Sequence, residues 1–422
     1  MKVDLSLEGA RALDLQFSGA TRRGDYRIPG REGKELIYFC GNSLGLQPLK
    51  AQEYVLQELA DWAELGVEGH FHGKRPWFDY HKQFATPLSR LVGALPQEVV
   101  VMNNLTVNLH LLMVTFYRPT GRQYKVIMEA GAFPSDQYAV ETQVRLQGME
   151  PEEAIIELEP RPGEHTLRTE DILQKIEEHA EETALVLMGG VNYYTGQFFD
   201  LKAISSTARK YGIKVGCDLA HAVGNVVLSL HEWDVDFACW CSYKYLNSGP
   251  GGSSGVFIHE RNAQNTSLPR FGGWWGHDER ERFLMRKGFK PMPTAEGWQL
   301  SNAQILPMAV HLAALELFDQ VGMTALREKS LSLTAFAQAC IDQINQRNNH
   351  PIQIITPTNA AERGCQLSLI FKKDGKRIFS SLQQAGIVAD WREPDVIRIA
   401  PVPMYNTFEE VWNFARHLEQ SL

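Results

Sequence analysis

Several things are scarce in this sequence, and each scarcity removes a class of protein. Its six cysteines, Cys40, Cys217, Cys239, Cys241, Cys340 and Cys365, include no Cys-x-x-Cys pair and no regular framework, so neither a zinc module nor a disulfide scaffold is indicated and the thiols read as reduced. Basic residues are outnumbered, with Lys+Arg 42 against Asp+Glu 50 and a net charge of -8. No long basic run is present to track a phosphodiester backbone, so nucleic acid is not an expected partner. No stretch reaches the roughly 20 apolar residues that cross a bilayer, and residues 1–8 lack the continuous apolar core of a signal peptide. A reducing cytoplasm and no membrane partner are expected. There is no Walker loop. The glycine-rich run 249–255 comes late and leads into a strand instead of opening a helix, which argues against a dinucleotide fingerprint. His70-Phe71-His72 has no further ligands clustered beside it, so no metal is expected. No internal repeat or low-complexity linker is found.

The chain has 422 residues, 44% hydrophobic and 22% charged, enough for two domains. Its middle alternates short apolar runs with helical patterns, the mark of an α/β fold with a mainly parallel sheet flanked by helices. Expected strands are Val126–Glu129, Leu185–Met188, Ile213–Cys217, Phe237–Trp240 and Gly255–Ile258, with helices over 135–147 and 200–211. One long amphipathic stretch is expected over about 305–345, followed by strands at Ile352–Ile355, Gln366–Ile370 and Val396–Ile399. The organisation reads as an N-terminal segment (1–55) packing on the main body, a large α/β domain (56–305) and a smaller C-terminal α+β domain (306–422). Functional groups of such a sheet gather beyond the strand C-termini.

Four elements carry chemistry. Lys244 follows an apolar strand, is flanked by Tyr243 and Tyr245, and precedes the run Asn247–Gly255, whose glycines let backbone approach a ligand closely. Most lysines are solvated surface residues; one enclosed by apolar and aromatic neighbours is desolvated, as an amine that forms a Schiff base requires. Asp218 terminates a strand, with His221 three residues on. It fits either a plain helix cap or the acid that keeps a pyridinium nitrogen protonated. The spacing to Lys244 fits one helix and one strand between them. Thr106 stands where a polar loop enters an apolar helix, as a cap or as part of an anion cradle. Phe133 in Phe133-Pro134-Ser135-Asp136 is placed to pack in a core or to stack on a flat heteroaromatic ring.

In this order, these elements resemble the fold-type I pyridoxal-phosphate enzymes. The finer wording is similar to the kynureninase family across nearly the whole chain. The stretches that carry the likeness are Gly41–Pro48, Gly73–Trp77, Leu105–His110, Phe133–Asp136, Tyr194–Gln197, Asp218–Asn225, Ala238–Asn247 and Arg398–Pro403. The resemblance implies pyridoxal 5'-phosphate as cofactor, Lys244 as the Schiff-base lysine, Asp218 as the ring-nitrogen partner and Phe133 as the stacking face. Pro134, Ser135, Asp136 and His221 fall beside the cofactor. Leu105, Thr106 and Tyr243 would hold its phosphate, Trp274 and Asn302 would complete the pocket, and Gly189, at a position where the family often has serine, would serve through its backbone.

The chemistry so implied is hydrolytic cleavage of kynurenine or 3-hydroxykynurenine to an anthranilate and alanine, in tryptophan catabolism and NAD biosynthesis. Arg398 is the candidate for the substrate carboxylate, its other reading being a surface salt bridge. Lys244 doubles as general base, and Tyr243 is the choice for proton exchange at the γ-carbonyl. The aryl ring falls to His70, Ser301, Asn302 and Trp275, with Ser43 nearby. Polar residues there favour the 3-hydroxy substrate. A homodimer with shared active sites is implied. The alternatives are another fold-type I activity, either an aminotransferase or a cysteine desulfurase, and a pyridoxal-phosphate-binding protein without catalysis.

Overall fold

Seven short apolar runs form one sheet: β1 Val99–Val101, β2 Lys125–Glu129, β3 Ile155–Leu158, β4 Thr183–Gly189, β5 Lys214–Asp218, β6 Phe237–Trp240 and β7 Gly255–Ile258. A computed structural model describes residues 4–422; Met1-Lys2-Val3, the head of the stretch read for a signal peptide, lies outside the described residues. The strand order is β1-β7-β6-β5-β4-β2-β3, and β7 runs antiparallel to both its neighbours while the other pairings are parallel. Strands β6 and β7 are buried at every residue, because helices cover both faces and leave no polar side to alternate with. Continuous burial is why five of the seven strands stand out in the sequence. The other two are harder to see: β1 has three residues, and β3 lies at the sheet edge with a mostly part-exposed pattern.

Helices α1 Leu7–Gln16, α2 Lys50–Leu65, α3 Leu105–Phe116, α4 Pro134–Leu146 and α5 Leu201–Lys210 precede the C-terminal part. The helix expected between Asp218 and the next strand is absent, since residues 219–236 run as successive turns. Those turns still bury Leu219, Ala222, Val226 and Leu230 in the core, so their apolar periodicity reflects packing and not helix.

The stretch at 305–345 is two helices, α6 Ile305–Val321 and α7 Met323–Arg347, bent by 82°. The break falls at Gly322, whose φ of +80° a side-chain-bearing residue rarely adopts. The two helices serve mainly different cores, although Leu326 at the start of α7 still packs in the first. From α6, Met308, Ala309, Ala313, Leu315 and Phe318 join the core of the large sheet. From α7, Leu333, Phe336, Ala337 and Ile341 join a second core, built on a four-stranded sheet of β8 Ile352–Ile354, β9 Leu367–Phe371, β10 Asp390–Arg392 and β11 Val396–Ile399. Its order is β8-β9-β11-β10, and the last helix, α8 Phe408–Ser421, packs on it through Val411, Phe414 and Leu418.

The N-terminal segment is tied to both cores. Ala10 of α1 and Phe39 lie in the smaller one, Ile37–Tyr38 pairs in parallel with Ile387–Val388, and Tyr26 and Leu46 lie in the larger one. Gly45 meets the Lys244 segment so closely that a Cβ there would stand 2.3 Å from the Lys244 carbonyl oxygen. Any side chain at 45 would therefore displace that backbone.

Candidate active site

At the C-terminal edge of the sheet, Glu129 closes β2, Gly189 closes β4 and Asp218 closes β5, while Cys241, Tyr243 and Lys244 follow β6. These ends surround a cavity of about 170 Å³ that is also lined by Leu105, Thr106, Phe133, Ser135, Asp136, Val191, Tyr193, Ala220 and His221. Every chain crossover brings its functional group to one crevice, as parallel sheets do.

The Lys244 amine is buried, 3.0 Å from His221 Nε2 and 5.7 Å from the centre of the Phe133 ring. Asp218 Oδ1 accepts from Ala220 N at 2.7 Å. Burial pushes the Asp218 and Asp136 carboxyls upward, and Asp136 is raised further by the Asp218 charge and a hydrogen bond to it. Of the two, Asp136 is the more strongly raised, beside the Lys244 amine. Burial, together with the charge of Lys244, holds His221 well below the usual imidazole range, so it is neutral and its Nδ1 is buried without a protein partner. Tyr243 is raised above the ordinary phenol range by burial and by Cys241, which keeps it a neutral proton donor.

Two helices aim their N-termini at the crevice. Helix α3 begins at Leu105 with no side-chain cap from Asn104, and α4 begins at Pro134 with none from Phe133. The first-turn N–H groups of Leu105 and Thr106 are donors in search of an anion. Charge at one end, a buried acid at the other, an aromatic face and an amine between them suit a flat, phosphorylated pyridine.

Arg398 is buried, not a surface pair. Its Nη2 donates to Asp390 and its Nη1 to the Tyr193 carbonyl, its Nε has no protein partner, and its charge is felt at His221. Ser43 joins this group, donating to Asp390 Oδ2 at 2.8 Å. It does not join the other residues expected at the aryl ring.

His70, Trp274, Trp275, Ser301 and Asn302 do not line the cavity. His70, Trp275 and Trp274 lie along a chain of aromatic contacts running His70–Phe71–Phe78–Trp275–Trp274 with ring centres 5.3–6.3 Å apart, and Trp275 N bonds to the carbonyl of Leu300, next to Ser301. Much of this patch faces outward: Trp274 is 48% and Phe71 57% exposed. Pro134 serves as the first residue of α4 and does not line the cavity.

Gly189 meets the cavity, but its N–H donates to Glu129 Oε1 at 3.1 Å and a Cβ there would stand 2.5 Å from that oxygen. Glu129, Tyr193 and Cys241 are lining residues that the sequence reading did not select. Glu129 had the same signal as Asp218, an acid ending an apolar strand. Burial pushes its carboxyl up to about 7 against the pull of hydrogen bonds from Asn192 and Gly189. Tyr193 has no such signal, since its place depends on a turn.

Elsewhere, Glu98, His231 and His259 bring three possible metal ligands within 4.8 Å. Glu98 already accepts from Leu95 N and Glu260 N. The two imidazoles stack with centres 4.8 Å apart, and both Nδ1 atoms face Glu98 Oε1, at 2.9 and 3.6 Å, so the carboxylate already partners them. Among the described residues no single helix is long and apolar enough to cross a membrane, and the bent pair α6–α7 supplies the two cores.

A sheet of this order, with a lysine after β6, an acid ending β5 and two uncapped helix N-termini, defines a fold-type I pyridoxal-phosphate enzyme. Solved structures agree on the fold: a cysteine desulfurase from Thermococcus onnurineus superimposes with a TM-score of 0.73 at 17% identity over 91% of this chain and 94% of that one. A cystine C-S lyase in complex with cysteine persulfide gives 0.76 at 17% identity over 93% and 99%. Residues 74–230 match the DegT/DnrJ/EryC1/StrS aminotransferase family and residues 326–418 the kynureninase C-terminal domain. The chain is 52% identical over 417 residues to a kynureninase of Flavobacterium psychrophilum, covering 99% of this chain and 98% of that one. It is 54% identical to a kynureninase of Myxococcus xanthus, with coverage of 97% and 96%, and 50% identical to one of Nematostella vectensis, with 90% and 84%. The chain belongs to the kynureninase family. A desulfurase would need a reactive cysteine, whereas Cys340 and Cys365 are buried and burial pushes both thiols up to about 12.

Proposed function

We propose that the chain hydrolyses the Cβ–Cγ bond of kynurenine and 3-hydroxykynurenine to give an anthranilate and alanine. The observation that carries this is the Lys244–Asp218–Phe133 cavity in a chain about half identical to kynureninases over nearly its full length. Pyridoxal phosphate, linked to Lys244, supplies an electron sink for charge developing on the substrate.

The protein's own groups do the rest. The N–H groups of Leu105 and Thr106, with the Thr106 hydroxyl and Tyr243, would hold the phosphate. Asp218 would hold the proton on the ring nitrogen, Asp136 would support that acid, and Phe133 would cover one face of the ring. Arg398 takes the substrate carboxylate, with the turn carbonyl of Tyr193 and the Asp390 carboxylate fixing the guanidinium plane. The Lys244 amine would accept the α-proton and return it to the α-carbon once the Cβ–Cγ bond has broken. Water adds its hydroxyl to the γ-carbonyl carbon, the Cβ–Cγ bond breaks with its electron pair going to Cβ, and Cβ takes up a proton. Tyr243, a neutral phenol, exchanges the proton at the carbonyl oxygen.

The chain works as a homodimer with shared active sites. None of His70, Trp274, Trp275, Ser301 and Asn302 lines its own cavity, and Trp274, Ser301 and Asn302 are exposed, which suits residues that complete a partner's site. There His70, Ser301 and Asn302 meet the aryl ring and favour its 3-hydroxyl, and Trp274 and Asn302 close over the cofactor. Six unpaired, buried cysteines suit a reducing cytoplasm.

The test is to add 3-hydroxykynurenine to the cofactor-loaded protein and follow 3-hydroxyanthranilate and alanine. Equal amounts of both are expected. Formation of an amino acid only when a keto acid is supplied would point to transamination instead.

A further inference from the structure

Glu129 is the buried acid of the cavity that the chemistry above does not use. Its carboxylate sits between two donors of fixed direction: Oε1 accepts from Gly189 N at 3.1 Å and Oε2 from Asn192 Nδ2 at 2.6 Å. The first is strand backbone. The second cannot turn round, because Asn192 Oδ1 accepts from Tyr194 N, Thr195 N and Thr195 Oγ1 at 2.9, 2.8 and 3.0 Å, and a flipped amide would set its NH₂ against three donors. Both oxygens of Glu129 therefore accept a hydrogen bond, and neither donor can be turned into an acceptor by rotation.

Asn192 in turn closes the tight turn that carries Tyr193, through bonds between its backbone and those of Gly196 and Gln197 at 2.9 and 2.7 Å. Tyr193 touches both halves of the site. Its ring stands edge-on to Phe133 with centres 5.2 Å apart, and its carbonyl accepts from Arg398 Nη1. Moving Asn192 moves the stacking face and the guanidinium together.

We propose that Glu129 is a positioning residue which, through Asn192, sets the Tyr193 turn and so fixes the Phe133 face and the Arg398 clamp relative to each other. This rests on the reading of Arg398 as the carboxylate clamp. An apolar core would hold a turn without a buried acid; a carboxyl group between two fixed donors holds it in one direction only.

The contact can be exchanged between its partners in the cofactor-loaded enzyme. In Glu129→Gln an amide donor faces the Asn192 donor. In Asn192→Asp two carboxylates face each other. In the double variant the amide donates to the carboxylate, and the bond returns with its polarity reversed. Each single variant is expected to raise KM roughly tenfold or more, lowering kcat less, while the double variant recovers KM to within about threefold of wild type. The visible circular dichroism of the bound cofactor should change in both single variants and return in the double one, with far-ultraviolet spectra constant. A double variant no better than the worse single one overturns the proposal, as do single variants with wild-type KM and cofactor band. A wild-type KM in Arg398→Lys would overturn the clamp reading itself. The Glu129 contact is then judged on the cofactor band, whose loss and return support it and whose constancy overturns it.

Discussion

The amine of Lys244 lies 3.0 Å from Nε2 of His221, and burial together with the lysine's charge keeps that imidazole neutral. A neutral imidazole can accept a hydrogen bond from the Lys244 side chain. The lysine is thereby aimed across the cavity toward Asp218 and Phe133 instead of toward water.

Lys244→Ala removes both the covalent anchor and the proposed base. Activity is expected to fall by at least about 10³-fold, and the purified protein should lose the visible absorption of linked cofactor while free cofactor still restores none of the turnover. Retention of the linked-cofactor band would move the anchor to another lysine.

Three buried carboxyls, Glu129, Asp136 and Asp218, lie above the ordinary carboxylate range. A raised acid binds protons more tightly in the folded state, so its stabilising contribution is complete below the unfolded carboxyl range and is lost as pH rises through the folded value, about 7 for Glu129. Cofactor-free protein should therefore melt at a lower temperature at pH 8 than at pH 5. Restoring the cofactor sets a pyridinium beside Asp218 and should flatten that slope. Melting curves of both forms across this range test it; a flat curve without cofactor would contradict the buried-acid account.

Arg398→Lys keeps the charge but loses the planar fork that meets a carboxylate with two bonds. A KM increase of roughly 10- to 100-fold, with kcat less affected, is expected. Steady-state kinetics against kynurenine decides it.

Sharing of sites predicts complementation. Lys244→Ala and Asn302→Ala subunits are each expected to be impaired alone, but in a one-to-one mixed population half the dimers are hybrid, and each hybrid has one intact site. About a quarter of wild-type activity should return. No gain over the separate variants would place Lys244 and Asn302 in the same subunit's site.

His70→Phe and Asn302→Ala remove the groups proposed to meet an aryl hydroxyl. The specificity constant for 3-hydroxykynurenine should fall roughly 10²-fold or more relative to that for kynurenine. Equal loss for both substrates would mean that these residues position the ring without reading its hydroxyl.

The sequence by itself determined the sheet and the groups at its edge. Buried parallel strands are short, continuously apolar and end in polar residues, so Asp218, Lys244, Phe133 and Thr106 are local signals that one reading along the chain picks up. Glu129 carries the same signal at the end of Val126-Ile127-Met128, and only the fold shows that it faces the cavity. Tertiary structure decided what depends on separate segments meeting. The absence of a helix between Asp218 and β6, the break at Gly322, the burial of Arg398 and the company Ser43 keeps are all set by packing between elements far apart in the chain. The position of His70 and Asn302, neither of them lining the cavity of its own chain, is of the same kind. Lys244 shows both sides: its chemistry is written in its neighbours along the chain, while its direction is fixed by His221, which only the folded sheet brings within hydrogen-bond reach.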